Sequence, residues 1–354
     1  MKPLQILQKD WLIKILKKIS SPQYPELDWI QVGITTRCNA SCIYCPHSIL
    51  RDSWNGKDLS LEAFKALLPA FSKARLIYLQ GWGEPLLHPK LFEMLEAVKK
   101  QGCMAGLTSN ANLLTTERLK KLVDGGLDFL SLSTAGIDKK NDIIRKGTSL
   151  RKVLKTIEEV NRIKSATGSS LPKVHLAHML LRSGLGDLKG MPDFFNAAGV
   201  DQVVISGLTL AFTPEMEKEM YLADSETEFL NLKEKLLDMK NRVDTPEKIY
   251  FHLHNPYQSP GHCSENIHRA TFMNVDGYIK PCVCNDFHGF HKEARMYIQG
   301  KAHLLPDLAF GNIREKALGE IWHGKDYSSF RKKFFTPEIN QPCEHCAKRF
   351  IDAL

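Results

Sequence analysis

The chain has 354 residues, of which 43% are hydrophobic and 25% are charged. These values exclude a disordered or collagen-like chain and allow one large domain with a smaller one beside it. The net charge of +8 comes from Lys and Arg residues scattered along predicted helices. Because they form no contiguous basic block, the charge does not predict nucleic-acid binding.

The first 22 residues have the pattern of an amphipathic helix, with apolar side chains at helical spacing at Leu4, Leu7, Trp11, Ile15 and Ile19. No uncharged run within the first 20 residues exceeds six residues. Such runs are too short for a signal peptide or a membrane span, so we expect a cytoplasmic protein without a transmembrane segment. The helix is expected to pack against its own protein, and the alternative is that it lies on a membrane surface.

Short apolar strands then alternate with amphipathic helices. The predicted strands are 30–35, 76–80, 104–108, 129–133, 174–181 and 203–206, and the helices between them include 60–73, 91–101, 116–123 and 150–164. This alternation requires parallel strand pairing with right-handed crossovers. Six such units predict an α/β fold, a partial (β/α)6 TIM-like barrel. The C-terminal ends of its strands are the expected position of the site.

The pattern changes after residue 212. A polar helix is predicted at 225–240, a hairpin at 272–281 with Asp276-Gly277 as its turn, and a helix at 318–322. These last elements are too few for an ordinary core, so a bound metal is a reasonable source of stability. We predict an N-terminal helix at 1–22, a barrel with a helical linker at 23–250 and a small metal-binding domain at 251–354.

Eight of the nine cysteines fall into three groups, and Cys103 alone is expected to be an inert buried thiol. In a chain without a secretion signal, such grouping indicates metal binding more than disulfides. The first group has three thiols directly after the first predicted strand, one fewer than a closed site needs. It therefore predicts an open metal site or a fourth ligand from elsewhere. The groups are Cys38, Cys42 and Cys45; Cys263, Cys282 and Cys284; and Cys343 and Cys346.

The stretch CNASCIYC resembles the CxxxCxxC signature of the radical S-adenosylmethionine (radical SAM) enzymes. The resemblance implies that Cys38, Cys42 and Cys45 hold three irons of a 4Fe–4S cluster, whose fourth iron is chelated by S-adenosylmethionine (SAM). It also implies that an electron, supplied by reduced ferredoxin or flavodoxin, cleaves SAM to a 5′-deoxyadenosyl radical. The alternatives are a chance arrangement of cysteines and part of a zinc site.

The stretch LQGWGEPLLHP is similar to the GGEP motif of that family. The similarity implies that Gly83 and Glu84 receive the methionine ammonium group of SAM. Trp82 occupies the first glycine position, as in GxGEP variants of the motif.

Four other residues match positions that contact SAM or substrate in the family, namely Tyr44, Asn110, Ser133 and Arg145. Ser133 could equally be a turn residue, and Arg145 a surface charge. His175 and His178 lie three apart on one predicted strand and so face opposite sides. A hydrogen-bonded core histidine is the simpler interpretation of each.

The later cysteines are similar to the front half of a SPASM domain, or to the related twitch domain. In the matching pattern, thirteen residues separate Cys263 from Gly277, four residues separate Gly277 from Cys282, and a CxxC follows at Cys343 and Cys346. The two further cysteines of a full SPASM pattern do not follow this CxxC. Cys284 could replace Cys282 because both thiols of such a pair point alike, and a four-cysteine zinc site remains an alternative. The resemblance implies one auxiliary 4Fe–4S cluster held by Cys263, Cys282, Cys343 and Cys346.

Together the motifs imply a radical SAM oxidoreductase or maturase. The implied substrate is a peptide, protein, cofactor precursor or other small molecule, and the auxiliary cluster would serve electron transfer. Relatives with an acidic catalytic residue directly after the auxiliary cysteine have Val283 here, so no catalytic side chain is predicted. Two other classes stay open: a non-catalytic iron–sulfur protein for electron transfer or redox sensing, and a zinc-stabilised interaction module.

Overall fold

The structure is a computed structural model that describes residues 26–257, 263–287, 294–305, 307–334, 336 and 341–352. The predicted helix at 1–22 lies outside the described residues. Within them, every helix is too short or too polar to span a lipid bilayer.

The strands of the described residues are, in chain order, β1 (Leu27–Val32), β2 (Ser41–Cys42), β3 (Ala74–Tyr78), β4 (Met104–Ser109), β5 (Phe129–Thr134), β6 (Arg145–Lys146), β7 (Lys173–Leu180), β8 (Gln202–Gly207), β9 (Ile249–His254), β10 (Ala270–Met273), β11 (Tyr278–Lys280), β12 (Arg295–Ile298), β13 (Lys301–Leu304), β14 (Gly311–Asn312) and β15 (Ile351–Asp352). Eleven of them form one sheet in the order β14-β11-β10-β1-β3-β4-β5-β7-β8-β9-β15. All six predicted strands of the barrel are confirmed.

The helices of the described residues are α1 (Pro46–Ile49), α2 (Leu61–Leu67), α3 (Leu91–Lys100), α4 (Thr116–Asp124), α5 (Lys139–Ile144), α6 (Leu150–Thr167), α7 (Met191–Ala197), α8 (Pro214–Glu217), α9 (Glu226–Asn241), α10 (Leu318–His323), α11 (Lys325–Lys333) and α12 (Gln341–Glu344). The predicted starts coincide with side-chain caps. Ser60 accepts a hydrogen bond from the Ala63 amide at the start of α2, and Thr115 accepts one from the Arg118 amide at the start of α4. Gly168 ends α6 in the left-handed conformation, at φ +66°.

The first strand begins three residues earlier than predicted. It covers Leu27–Val32 because Trp29 and its neighbours pair in parallel with β10, which comes from the C-terminal region. The chain leaves the sheet at Gly33, where a Cβ atom would lie 2.9 Å from the ring of Phe272. The start of β1 is set by pairing with a strand that is far away in the sequence. A local sequence pattern therefore cannot predict where β1 begins.

The C-terminal region joins the sheet at both edges. At one edge, β10 pairs in parallel with β1 and forms the predicted hairpin with β11, whose turn residue Gly277 has φ +85°. At the other edge, β9 pairs in parallel with β8 and antiparallel with β15. The sheet therefore has eight parallel strands, six from the predicted barrel and two from the C-terminal region. The domain boundary near residue 250 falls within β9 and stays a prediction.

Candidate active site

The first cysteine group lies between β1 and α1, at the C-terminal end of the parallel strands. Cys42 sits in β2 and pairs with Arg145 of β6, while Cys45 directly precedes α1 and its amide donates to the Cys42 carbonyl at 3.1 Å. Burial raises the pKa of Cys38 to about 11 and that of Cys45 to about 12, and the negative charges of neighbouring thiolates add to both shifts. The three sulfurs are thus close enough to oppose one another's ionisation. This donor set fits a cationic iron cluster, which would stabilise the thiolate forms.

Arg145 is buried directly behind this loop, with 6% of its surface exposed, so the surface-charge interpretation is wrong. Its Nη1 atom donates to the Tyr44 hydroxyl, and its positive charge lowers the pKa values of Cys38 and Cys45. The Nε atom of Arg145 is buried without a hydrogen-bond partner among the described residues. A buried guanidinium with a spare donor is suited to an anionic group beside the cluster loop.

Glu84 lies at the turn after β3, and only 3% of its surface is exposed. Its carboxylate accepts hydrogen bonds from the Leu86 amide at 3.3 Å, the Ser109 hydroxyl at 2.8 Å and the Asn110 amide at 2.7 Å. Burial raises its pKa, and these hydrogen bonds oppose that shift. A carboxylate has about four acceptor positions, and these hydrogen bonds occupy three of them. One acceptor position is therefore left for a cation such as an ammonium group.

Gly83 brings this turn against the chain that leads to Cys38. A Cβ atom at Gly83 would lie 2.4 Å from the Thr35 carbonyl oxygen and 2.6 Å from that of Arg37, so a larger residue does not fit. The Glu84 amide donates to the same Arg37 carbonyl at 2.8 Å. The glycine requirement of the motif is therefore a requirement for close backbone packing against the cysteine loop.

Asn110 follows β4 and joins the two motifs. Its side-chain amide donates to the Asn39 side chain at 2.8 Å and lies 3.9 Å from the Cys38 sulfur. Its backbone amide is the one bound by Glu84. The structure therefore brings Cys38, Glu84 and Asn110 together, as the sequence motifs predict.

Ser133 belongs to the strand next to β4 in the sheet. It is half-buried in β5, opposite Ala177 of β7. The next residue, Thr134, hydrogen-bonds Nδ1 of His178 at 3.0 Å, and burial together with the nearby Arg145 lowers the pKa of His178 to about 4. His178 is thus a hydrogen-bonded core histidine, as expected.

A central cavity of about 520 Å³ connects the two cysteine regions. Tyr44 and Cys45 line one part of its wall, and Val283, Cys284 and Lys348 line another. The remaining wall is mainly apolar and aromatic and includes Trp29, Leu76, Tyr78, Trp82, Met179, Leu210 and Phe212.

Most of these lining residues are not among the site residues predicted from the sequence. Trp29 and Gln31 alternate along β1, and Leu76 and Tyr78 along β3, so one face of each strand points into the cavity. The same alternation is visible in the sequence. Only the assembled sheet, however, distinguishes a face that lines a cavity from one that packs on helices.

The second cysteine set lines a separate, smaller cavity, formed in part by Cys263, Cys282, Cys284, Cys343 and Cys346. Burial and the neighbouring thiols raise the pKa of Cys343 to about 11 and that of Cys346 to about 12. No group of three or more His, Cys, Asp or Glu side chains in the described ranges converges as a site for a single ion. Thiols spread around a cavity fit a cluster in which each binds a different iron.

Cys284 belongs to both cavities, and Cys282 only to the smaller one. Close to Cys284, Lys348 forms an ion pair with Glu265 at 2.6 Å. Burial alone would lower the pKa of Lys348, but Glu265 and the nearby thiols raise it overall. A protonated lysine therefore stands at the boundary between the two cavities.

Comparison with known families agrees with this geometry. Residues 32–173 match the model of the radical SAM superfamily, and residues 263–347 match the SPASM model, an iron–sulfur cluster-binding domain. The chain belongs to the radical SAM superfamily. Within that superfamily it is an enzyme of the SPASM type, with a SAM-binding 4Fe–4S cluster and auxiliary iron–sulfur binding.

Two relatives illustrate the range of the family. The chain is 26% identical over 330 residues to the tungsten-containing aldehyde ferredoxin oxidoreductase cofactor-modifying protein of Pyrococcus furiosus, covering 91% of this chain and 88% of the relative. It is 22% identical over 330 residues to the PqqA peptide cyclase of Rhizobium meliloti, covering 90% and 79%.

Two solved structures share the fold. SuiB of Streptococcus suis bound to S-adenosylmethionine superposes with a TM-score of 0.62 at 14% identity, covering 97% of this chain and 76% of SuiB. The anSMEcpe structure with bound AdoMet also gives 0.62, at 16% identity, covering 87% and 84%. The predicted partial barrel is thereby confirmed.

Proposed function

We propose that this protein reductively cleaves SAM and abstracts a hydrogen atom from a substrate bound in the central cavity. The observation that carries the proposal is the position of that cavity, whose wall includes Cys45 of the first cysteine group and Cys284 of the second. A non-catalytic redox carrier needs no such chamber between its two centres. A cavity of this volume is in the range that small-molecule sites occupy.

Cys38, Cys42 and Cys45 would hold the SAM-binding cluster. When bound, the cluster and SAM supply the one-electron cleavage that yields a 5′-deoxyadenosyl radical. Arg145 would stabilise the cysteine loop through its hydrogen bond to the Tyr44 hydroxyl. Asn110 would stabilise it as well, because its side-chain amide lies near the Cys38 sulfur and its backbone amide donates to Glu84. The spare donor of Arg145 and the free acceptor position of Glu84 would bind the carboxylate and the ammonium group of SAM.

We assign the auxiliary 4Fe–4S cluster to Cys263, Cys282, Cys343 and Cys346. Four protein thiolates leave no iron open, which favours electron transfer over substrate ligation. The shared wall at Cys284 gives a substrate radical in the central cavity a short path to this cluster. The donor to the first cluster would be reduced ferredoxin or flavodoxin, in the cytoplasm.

The cavity wall favours a substrate with an apolar or aromatic part. Trp29, Tyr78, Trp82 and Phe212 supply flat apolar surfaces. The names of the two relatives describe the modification of a cofactor and the cyclisation of a peptide. We infer that the substrate is a peptide, protein segment or cofactor precursor that places such a group in the cavity.

The test uses anaerobically reconstituted protein with dithionite and SAM. We expect about eight irons per chain and formation of 5′-deoxyadenosine. The triple substitution of Cys38, Cys42 and Cys45 by Ala should leave about four irons and abolish cleavage. C103A is the matched control, because Cys103 is buried elsewhere and donates to the Phe71 carbonyl. Cleavage by the triple variant would refute the assignment.

Substrate identity requires a second measurement. Candidate peptides and cofactor precursors labelled with deuterium are incubated with the reduced protein. Transfer of deuterium into 5′-deoxyadenosine identifies the substrate, and its absence with a candidate excludes that compound.

A further inference from the structure

An ion pair lies in the wall between the two cavities. The Nζ atom of Lys348 lies 2.6 Å from Oε1 of Glu265, and the two side chains are only 25% and 16% exposed. Both residues line the central cavity, and both also line the smaller cavity of the second cysteine set. The pair therefore lies between the site proposed for the substrate and the site proposed for the auxiliary cluster.

The same pair joins two of the cysteine segments. Glu265 lies two residues after Cys263, and Lys348 lies two residues after Cys346. The Ser264 amide donates to the Lys348 carbonyl at 3.1 Å, so a backbone hydrogen bond accompanies the ion pair. The two contacts hold together segments that are far apart in the sequence, each of which contributes a proposed iron ligand.

The charges of the pair act on these cysteines in opposite directions. Burial and the neighbouring Cys346 thiolate raise the pKa of Cys263, and the negative charge of Glu265 raises it further. Burial also raises the pKa of Cys346, but the positive charge of Lys348 opposes that shift. One-electron reduction adds a negative charge to an iron–sulfur cluster. A carboxylate beside the cluster therefore lowers its reduction potential, and an ammonium group raises it.

We propose that Glu265 and Lys348 are positioning residues of the auxiliary cluster, which hold its cysteine segments together and set its reduction potential through their opposite charges. The balance of the two charges would determine how readily the cluster accepts an electron from a substrate radical in the central cavity. This inference rests on the proposed function, because it presumes that the second cysteine set holds an iron–sulfur cluster.

The test measures the midpoint potential of the auxiliary cluster by an anaerobic redox titration that is followed by EPR. The reference is the full-length C38A/C42A/C45A protein, which should carry this cluster alone. In this background, K348M leaves the Glu265 charge unopposed and should lower the potential, whereas E265Q leaves the Lys348 charge unopposed and should raise it. E265Q/K348M removes both charges and K348R keeps both, so each should stay close to the reference potential.

A matched ion pair at the N-terminal end of the parallel strands provides the control. Lys99 and Asp128 approach to 2.5 Å with side chains that are 30% and 13% exposed, and Asp128 directly precedes β5. K99M and D128N should keep the reference potential. Arg349 also lines the smaller cavity, and its charge is the same in every variant.

Equal potentials in K348M and E265Q, or shifts in the same direction, would overturn the proposal and leave the pair a merely structural contact. If K348M did not retain iron, E265Q would still have to raise the potential, and a value at or below the reference would overturn the proposal. Failure of the wild-type protein to form 5′-deoxyadenosine would contradict the proposed function and not this inference, because the titrations need neither the first cluster nor SAM.

Discussion

The indole Nε1 of Trp82 donates a hydrogen bond to the backbone carbonyl of Asp286 at 3.1 Å. Trp82 stands in the glycine-rich turn after β3, and Asp286 follows the Cys282 to Cys284 segment of the second cysteine set. Trp82 also lines the central cavity. The residue that departs from the GGEP motif therefore ties the proposed SAM-binding turn to the auxiliary-cluster region and closes one wall of the cavity.

Substitution of Trp82 separates these two effects. W82F keeps an aromatic wall and loses one hydrogen bond, so it should lower the free energy of unfolding by about 1 kcal/mol. W82G restores the family's glycine but removes the ring, and we expect a loss of about 3 kcal/mol. Urea titration of the anaerobic holoenzyme measures both values. Equal losses in the two variants would show that the ring contributes nothing beyond its hydrogen bond.

The second cysteine set allows a direct comparison of two neighbouring thiols. If Cys282 is the auxiliary ligand, C282A should retain about four irons and C284A about eight. Iron analysis with EPR of the reduced proteins distinguishes the outcomes. C284A should still alter the product yield, because Cys284 lines the central cavity and Cys282 does not. The reverse pattern of iron contents would assign the ligand to Cys284.

Local sequence patterns predicted the barrel strands and the cysteine loop well, because both depend on neighbouring residues. Short apolar runs and amphipathic helical patterns are recognised from neighbouring residues, and the CxxxCxxC and GGEP-like motifs are contiguous. The side chains that they place together, such as Glu84 and Asn110, follow from parallel strands ending at one edge of a sheet.

Long-range pairing could not be predicted in the same way. The extension of the sheet by β10 beside β1 joins residues more than 240 positions apart, such as Trp29 and Ala270. Neither segment contains a local sequence signal that identifies the strand with which it pairs. For the same reason, the burial of Arg145 and the shared cavity at Cys284 emerged only from the assembled fold.

Glu84 provides a test of the proposed SAM site. E84Q exchanges a carboxylate for an amide among three donors, from Leu86, Ser109 and Asn110. The amide nitrogen cannot accept them, and hydrogen bonds to charged groups contribute about 1.5–3 kcal/mol. We expect the Kd for SAM, measured by anaerobic equilibrium dialysis, to rise at least about tenfold while the iron content is unchanged. E62Q, at an exposed position of α2, is the control and should behave as wild type.

His178 gives the protein a predictable dependence of stability on pH. Burial, and then the charge of Arg145, lower the pKa of His178 from 6.5 to about 4, while Thr134 hydrogen-bonds its ring and Phe195 packs against it. The unfolded chain therefore binds a proton below pH 6.5 that the folded protein does not bind until about pH 4. Stability should fall as the pH drops through this window and should not depend on His178 above it.

The size of the effect follows from the same linkage. Between pH 7.5 and pH 5.5, this one histidine should cost about 1 kcal/mol of unfolding free energy. H178Q should remove that part of the pH dependence, even though the substitution itself lowers stability at both pH values. Urea titrations of the anaerobic holoenzyme at the two pH values make the comparison, and an unchanged slope in H178Q would show that His178 is protonated alike in the folded and unfolded protein.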